Sequence, residues 1–204
     1  MTWAAFASIL LIHLAAAISP GPSFVVSVKT AAAEGFRVAA ALAVGFGLGA
    51  AIWAATALMG LAILFEILPG LLTALKIIGG LFLCFIAVMM WRHAKDPIAF
   101  ADATAAPRGI LSAIRLGVIT QLANPKPAVF FGAVFIGLVP EGSSVWMLAA
   151  LLGMIFANET IWYIVVAKAF STHTARQAYV RFKTWIDRLF GGLIAVFGLK
   201  IAIS

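Results

Sequence analysis

The chain is predicted to be an all-α membrane protein: six transmembrane helices in two inverted three-helix repeats, the first helix of each broken at a proline motif. Three observations lead there. It is 64% hydrophobic and 10% charged, against roughly 45–50% and 25% for soluble domains, so its apolar residues need a bilayer rather than a small core. Six apolar stretches, at about 3–28, 36–65, 70–91, 110–139, 144–170 and 185–203, have the length of about 20 residues that a spanning helix requires. Two proline doublets, Ser19-Pro20-Gly21-Pro22 and Asn124-Pro125-Lys126-Pro127, recur in corresponding halves.

The first stretch has small residues at Ala15 to Ala17, as a signal peptide would, but it lacks a basic n-region and runs past Pro22. It is expected to be a retained span. The second carries Gly45, Gly47 and Gly49, a spacing that lets helices approach closely. The third opens on Gly79-Gly80 and holds Cys84, the single cysteine, which rules out an intrachain disulfide or dithiol centre. Between His93 and Arg108, Asp96-Pro97 and Pro107 predict an irregular, solvated loop. The fourth stretch holds the second doublet, the fifth holds Asn158-Glu159, and the sixth opens on Gly191-Gly192. The tryptophans at 3, 91, 146 and 185 lie at stretch ends, as an aromatic belt requires, while Trp53 and Trp162 lie deeper and are candidates to line a cavity.

A net charge of +7 could suggest nucleic acid, but the charges occupy short loops between apolar stretches. Eleven of the 14 Lys and Arg residues fall in the loops after stretches one, three and five. The positive-inside rule makes those loops cytoplasmic and puts both termini outside. The halves also echo each other. Pro20-Gly21-Pro22 returns as Pro125-Lys126-Pro127, 105 residues on, and Lys76-Ile77-Ile78-Gly79-Gly80-Leu81 returns as Arg188-Leu189-Phe190-Gly191-Gly192-Leu193, 112 residues on. Three spans per half is odd, so the second half enters the membrane upside down. One transmembrane domain, 1–204, is expected, with repeat one at about 1–92, a cytoplasmic loop at about 93–109 and repeat two at about 110–204.

Proline lacks an N–H and clashes with the carbonyl four residues back. The doublets therefore free the carbonyls of Ala16 and Ile18, and of Gln121 and Ala123. New helical segments beyond them would offer free N–H groups at Ser23, Phe24 and Val25, and at Ala128, Val129 and Phe130. Bare carbonyls attract cations and helix N-termini attract anions, a pairing suited to a zwitterion. The plainer reading is a pair of packed kinks. Lys126 is a deep charge, available to a substrate carboxylate or to Glu159. Glu159, the only acidic residue deep in a span, reads either as a proton carrier or as the structural partner of Lys126. His13, two turns before Pro20, reads as a helix–helix hydrogen-bonder ahead of a proton relay.

With these residues in place, the chain resembles the LysE/RhtB family of bacterial amino-acid exporters over nearly its whole length. The resemblance rests on Ser19-Pro20-Gly21-Pro22, on Asn124-Pro125-Lys126 followed by Phe130-Phe131, and on the six-span size. It implies a secondary transporter in the bacterial inner membrane that exports amino acids or related small metabolites in exchange for protons, with no cofactor. Family roles carry over to Pro20, Gly21, Pro22, Asn124, Pro125 and Lys126. Ser23 stands where the family often has Asp or Asn, Pro127 extends the second motif, and Ile136-Gly137 replaces a frequent Pro-Gln. These departures bear on the substrate more than on the fold. The expected substrate site is Pro20, Gly21, Pro22, Ser23, Asn124, Pro125, Lys126 and Pro127, with Glu159 and His13 for proton coupling.

Rival classes fare worse. A redox carrier would need a second cysteine, and an intramembrane enzyme would need a motif such as HExxH or GxSxG, which the chain lacks. A divalent-metal exporter of related architecture is the alternative, although His13, His93 and His173 are scattered. The expected partners are a small zwitterion, protons and the lipid bilayer, without nucleic acid; a homo-oligomer is compatible with such a chain.

Overall fold

The computed structural model describes residues 2–19, 21–67, 71–96 and 108–203. Eight α-helices follow one another among them: α1 (Trp3–Ile18), α2 (Pro22–Glu34), α3 (Phe36–Ile67), α4 (Leu71–His93), α5 (Ile110–Ala123), α6 (Pro125–Leu138), α7 (Val145–Ser171) and α8 (His173–Ile203). Both doublets break helices as their chemistry requires. α1 stops at Ile18 and α2 restarts with Pro22 in its first turn, the two axes differing by 60°. α5 stops at Ala123 and α6 restarts at Pro125, with Asn124 as N-cap, its side chain accepting from the Lys126 N–H at 3.1 Å. Pro20 lies outside the described residues.

Phe36–Gly60 and Val145–Ser171 are each long and apolar enough to cross a membrane, and the bent pair α1–α2 passes as a third span. Ile77–His93, Ile110–Ala123 and Lys126–Leu138 are shorter apolar helices. The last element departs from expectation. A loop was predicted before residue 185, yet α8 begins at His173 and is 31 residues long. Its polar opening is rich in helix formers, and Lys183 and Asp187, one turn apart, pair at 2.8 Å within it. Lys183 also caps the carbonyls of His93 and Ala94 at the end of α4. The chain turns from α2 into α3 at Gly35, whose φ of 83° a side chain would strain.

Close helix approach at glycines sets the packing. Gly45 of α3 meets Gly117 of α5 backbone to backbone, and Gly80 of α4 meets Gly198 of α8 in the same way. The most extensive helix pairs are accordingly α4 with α8, and α3 with both α5 and α7. Buried apolar side chains form two clusters. One includes Ile9, Ile12, Phe131, Phe135, Leu151 and Ile155; the other includes Phe24, Leu42, Phe46, Tyr163, Val166 and Phe170. Along α7, Leu151 and Ile155 belong to the first and Tyr163 and Val166 to the second. Glu159 sits between them. A polar layer interrupts the core at that level.

Candidate functional site

The polar layer is where the two helix breaks meet. His13, Ser19, Gly21, Ser23, Asn124, Lys126, Pro127 and Glu159 line one small chamber of about 30 Å³, with Gln121 and Phe131 among its other walls. That volume holds water rather than an amino acid. A larger cavity of about 770 Å³ shares Ser19, Gly21, Asn124 and Lys126 with it. It continues between α2 and α4, past Phe85, Ile86 and Met89, to Lys29, His93, Asp96 and Lys183 at the basic end of the bundle.

Two of the carbonyls expected to be freed, those of Ala16 and Gln121, hold donors from other helices. Lys126 donates from Nζ to Ala16 O at 2.7 Å and to Ser19 O at 2.9 Å, so the cation of the second break occupies the carbonyls of the first. Trp53 of α3 donates from Nε1 to Gln121 O at 3.2 Å, filling the corresponding carbonyl of the second break. Ala16 and Gln121 were both expected to lose their helical partners; each instead keeps one short backbone bond, from the Ser19 N–H at 3.1 Å and from the Asn124 N–H at 3.3 Å. Of the N–H groups expected to be free, that of Val25 instead donates to Gly21 O at 3.1 Å.

Glu159 and His13 are each 3% exposed. His13 Nε2 lies 3.1 Å from Glu159 Oε2, and Gln121 donates from Nε2 to Glu159 Oε1 at 2.7 Å. Ser23 donates from Oγ to Gln121 Oε1 at 2.5 Å, and Asn124 Nδ2 reaches Ser23 Oγ at 3.4 Å. On the far side, Asn158 Nδ2 lies 3.1 Å from both Leu10 O and His13 Nδ1. The rings of Phe130 and Phe131 pack against His13, with centroids 5.9 and 5.3 Å away. A continuous hydrogen-bonded chain thus runs from Asn158 through His13, Glu159 and Gln121 to Ser23. The direct bonds of Glu159 go to His13 and Gln121, and those of the Lys126 ammonium to the carbonyls of Ala16 and Ser19.

Such an arrangement suits a carrier. The LysE type translocator family matches residues 14–204. The chain belongs to that family. Its relatives include the threonine efflux protein of Escherichia coli (strain K12), 31% identical over 205 residues and covering 98% of each chain. The threonine efflux protein of Salmonella typhi is 31% identical over 202 residues, again 98% of each. An uncharacterized membrane protein of Haemophilus influenzae is 25% identical over 204 residues, covering 97% of this chain and 95% of its own. No solved structure matches the chain. As a LysE translocator it is a multi-pass membrane transporter and not an enzyme.

Every expected site residue among those described borders the chamber or its larger neighbour, apart from Pro125 at the start of α6, whose surroundings are not described. Pro22 lines the larger cavity. Gln121 is the residue that sequence reasoning missed: its carbonyl was singled out and its side chain was not. The signal was present, since it is the only glutamine inside an expected span and lies 105 residues after Ala16.

Proposed function

We propose that this LysE translocator exports amino acids of threonine's size class, or closely related zwitterions, across the bacterial cytoplasmic membrane by proton antiport. The observation that carries the reading is the meeting of both helix breaks at one chamber that holds a cation, Lys126, and a buried acid–imidazole pair, Glu159 and His13. Lys126 takes the substrate carboxylate when it leaves the carbonyls of Ala16 and Ser19. Serine, asparagine and glutamine oxygens meet the ammonium. Glu159 carries the proton, with His13 fixing its orientation. The names of the relatives support threonine as the first candidate.

In this reading the eight helices make six spans, α1–α2 and α5–α6 each forming one, in two inverted repeats at about 1–92 and 110–204. The loop at about 93–109 is cytoplasmic and both termini lie outside. The large cavity reaches the basic end of the bundle, so this conformer is open to the cytoplasm. An apolar plug that includes Ile9, Phe131, Phe135 and Ile155 closes the other side. For a divalent-metal cargo, no group of three or more His, Cys, Asp or Glu side chains gathers among the described residues.

The test is flux in proteoliposomes. Wild-type protein should exchange labelled threonine at equal pH and accumulate it against an opposing pH gradient. Glu159→Gln, fixed in the neutral state, should lose gradient-driven flux on the order of 100-fold. Full gradient-driven flux in Glu159→Gln would remove this residue from the proton path.

A further inference from the structure

We propose that Gln121 makes proton binding at Glu159 and ammonium binding at Ser23 mutually exclusive by reversing the direction of the hydrogen bond between Gln121 and Ser23. The inference rests on Glu159 as the proton carrier, and it names the part that links proton to substrate.

The direction of each bond follows from what each atom can do. The carbonyl of Leu10 only accepts, so the Asn158 atom 3.1 Å away is its NH2 nitrogen. That nitrogen also faces His13 Nδ1, which must therefore present a lone pair. The imidazole proton is left on Nε2, pointing at Glu159 Oε2. Oε2 already receives a hydrogen. With Glu159 ionised, Oε1 accepts from the Gln121 NH2, and the Gln121 carbonyl oxygen accepts from the Ser23 hydroxyl. The hydroxyl hydrogen of Ser23 is committed inward, and its lone pairs face Asn124 and the chamber. A substrate ammonium finds an acceptor there.

A proton taken up by Glu159 settles on Oε1, because Oε2 is occupied and Asn158 opposes the other tautomer of His13. Oε1–H must then donate, and the NH2 facing it has no lone pair. The amide turns about its last torsion, bringing its oxygen to Glu159 and its nitrogen to Ser23. Ser23 now accepts from Gln121 and points its hydrogen into the chamber. The ammonium loses its acceptor and meets a donor. No proton crosses Gln121; only polarity is passed on.

The surroundings hold everything except that torsion. A Cβ at Gly49 of α3 would lie 2.6 Å from the Gln121 Cβ, so α3 packs directly on the base of the side chain. Trp53 fixes its carbonyl. Among the described residues, the titratable groups that share the chamber with Glu159 are His13 of α1, Lys126 of α6 and Tyr163 of α7; α2 and α5 bring only neutral side chains, and α3 and α8 bring none.

The experiment measures L-threonine affinity of the purified protein by calorimetry between about pH 4 and pH 9, a range that takes in the ordinary values of carboxylates and imidazoles. Wild-type affinity should fall with pH, by up to about tenfold per pH unit where one proton excludes one substrate. Gln121→Met keeps the bulk and cannot reverse, so the whole pH span of affinity should shrink about tenfold. Ser23→Ala should shrink it equally, and the double variant no further, because the relay runs in series. Ser23→Thr keeps the hydroxyl and should keep the span. Should Gln121→Met not fold, the contrast between Ser23→Ala and Ser23→Thr carries the same reading. A full span in Gln121→Met, or additive losses in the double variant, overturns the relay alone. Wild-type protein that binds no amino acid, or binds without pH dependence, overturns the transport reading and the relay together.

Discussion

The two proline breaks share a chemical cause and differ in how it is resolved. At the first, the carbonyls of Ala16 and Ser19 hold the ammonium of Lys126, a charged group on a long flexible stem that reaches across from α6. At the second, the carbonyl of Gln121 holds the indole of Trp53, a neutral donor fixed in the long helix α3. A cation can be drawn away by a carboxylate; an indole has no such competitor. On the proposed reading, the first break exchanges partners and the second stays put. Broken helices need not be equivalent because the same residue broke them.

The largest test of that contrast is Lys126→Met. It should cut threonine exchange on the order of 100-fold, as expected for losing a group whose charge-assisted bonds are worth roughly 1.5–3 kcal/mol each. Thermal stability in detergent should fall little, because the carbonyls it leaves border a cavity open to water. Trp53→Phe should do the reverse. Exchange is expected to stay within about threefold, while stability falls by about 0.5–1.5 kcal/mol for one hydrogen bond lost from a carbonyl that keeps the Asn124 N–H. If Trp53→Phe abolished exchange and Lys126→Met spared it, the roles assigned to the two breaks would be interchanged.

The smallest effect lies where the two broken spans are clipped together at the basic end. Glu34, which closes α2, accepts from the Arg108 N–H at 2.8 Å and pairs with its guanidinium at 2.8 Å, just ahead of α5. Burial pushes the Glu34 carboxyl up, but the Arg108 hydrogen bonds and charge outweigh burial and hold it below the ordinary glutamate range. Because the folded value is the lower one, the stabilisation is complete above the unfolded value of about 4.3 and fades as pH falls through the folded value. Arg108 is well exposed, so the contribution is under about 1 kcal/mol. Glu34→Gln should remove that acid-side loss of stability and leave exchange unchanged; a large fall in exchange would mean the clip gates the cavity.

The breaks themselves were legible because proline acts through its own ring, without reference to neighbours. Lys126, Glu159 and His13 were legible for a related reason: a charge or imidazole in an apolar run has few uses. What joins them was not. Gln121 is neutral, so its cost in the bilayer drew no notice, and its bonds go to Ser23 and Glu159, 98 and 38 residues away. The Lys183–Asp187 pair was lost for the opposite reason. Its charges read as solvated loop, whereas α8 folds them inward to hold the end of α4.

The contact between Gly49 and Gln121 has a consequence for substitution at either position. The two positions share a fixed volume across α3 and α5, so neither can drift alone. Alanine at 49 would press on the Cβ of residue 121 itself, so α3 and α5 would have to part, and the amide would be drawn away from its place between Ser23 and Glu159. Glycine at 49 is therefore a packing condition for the amide at 121, readable in the sequence even where the amide itself draws no attention.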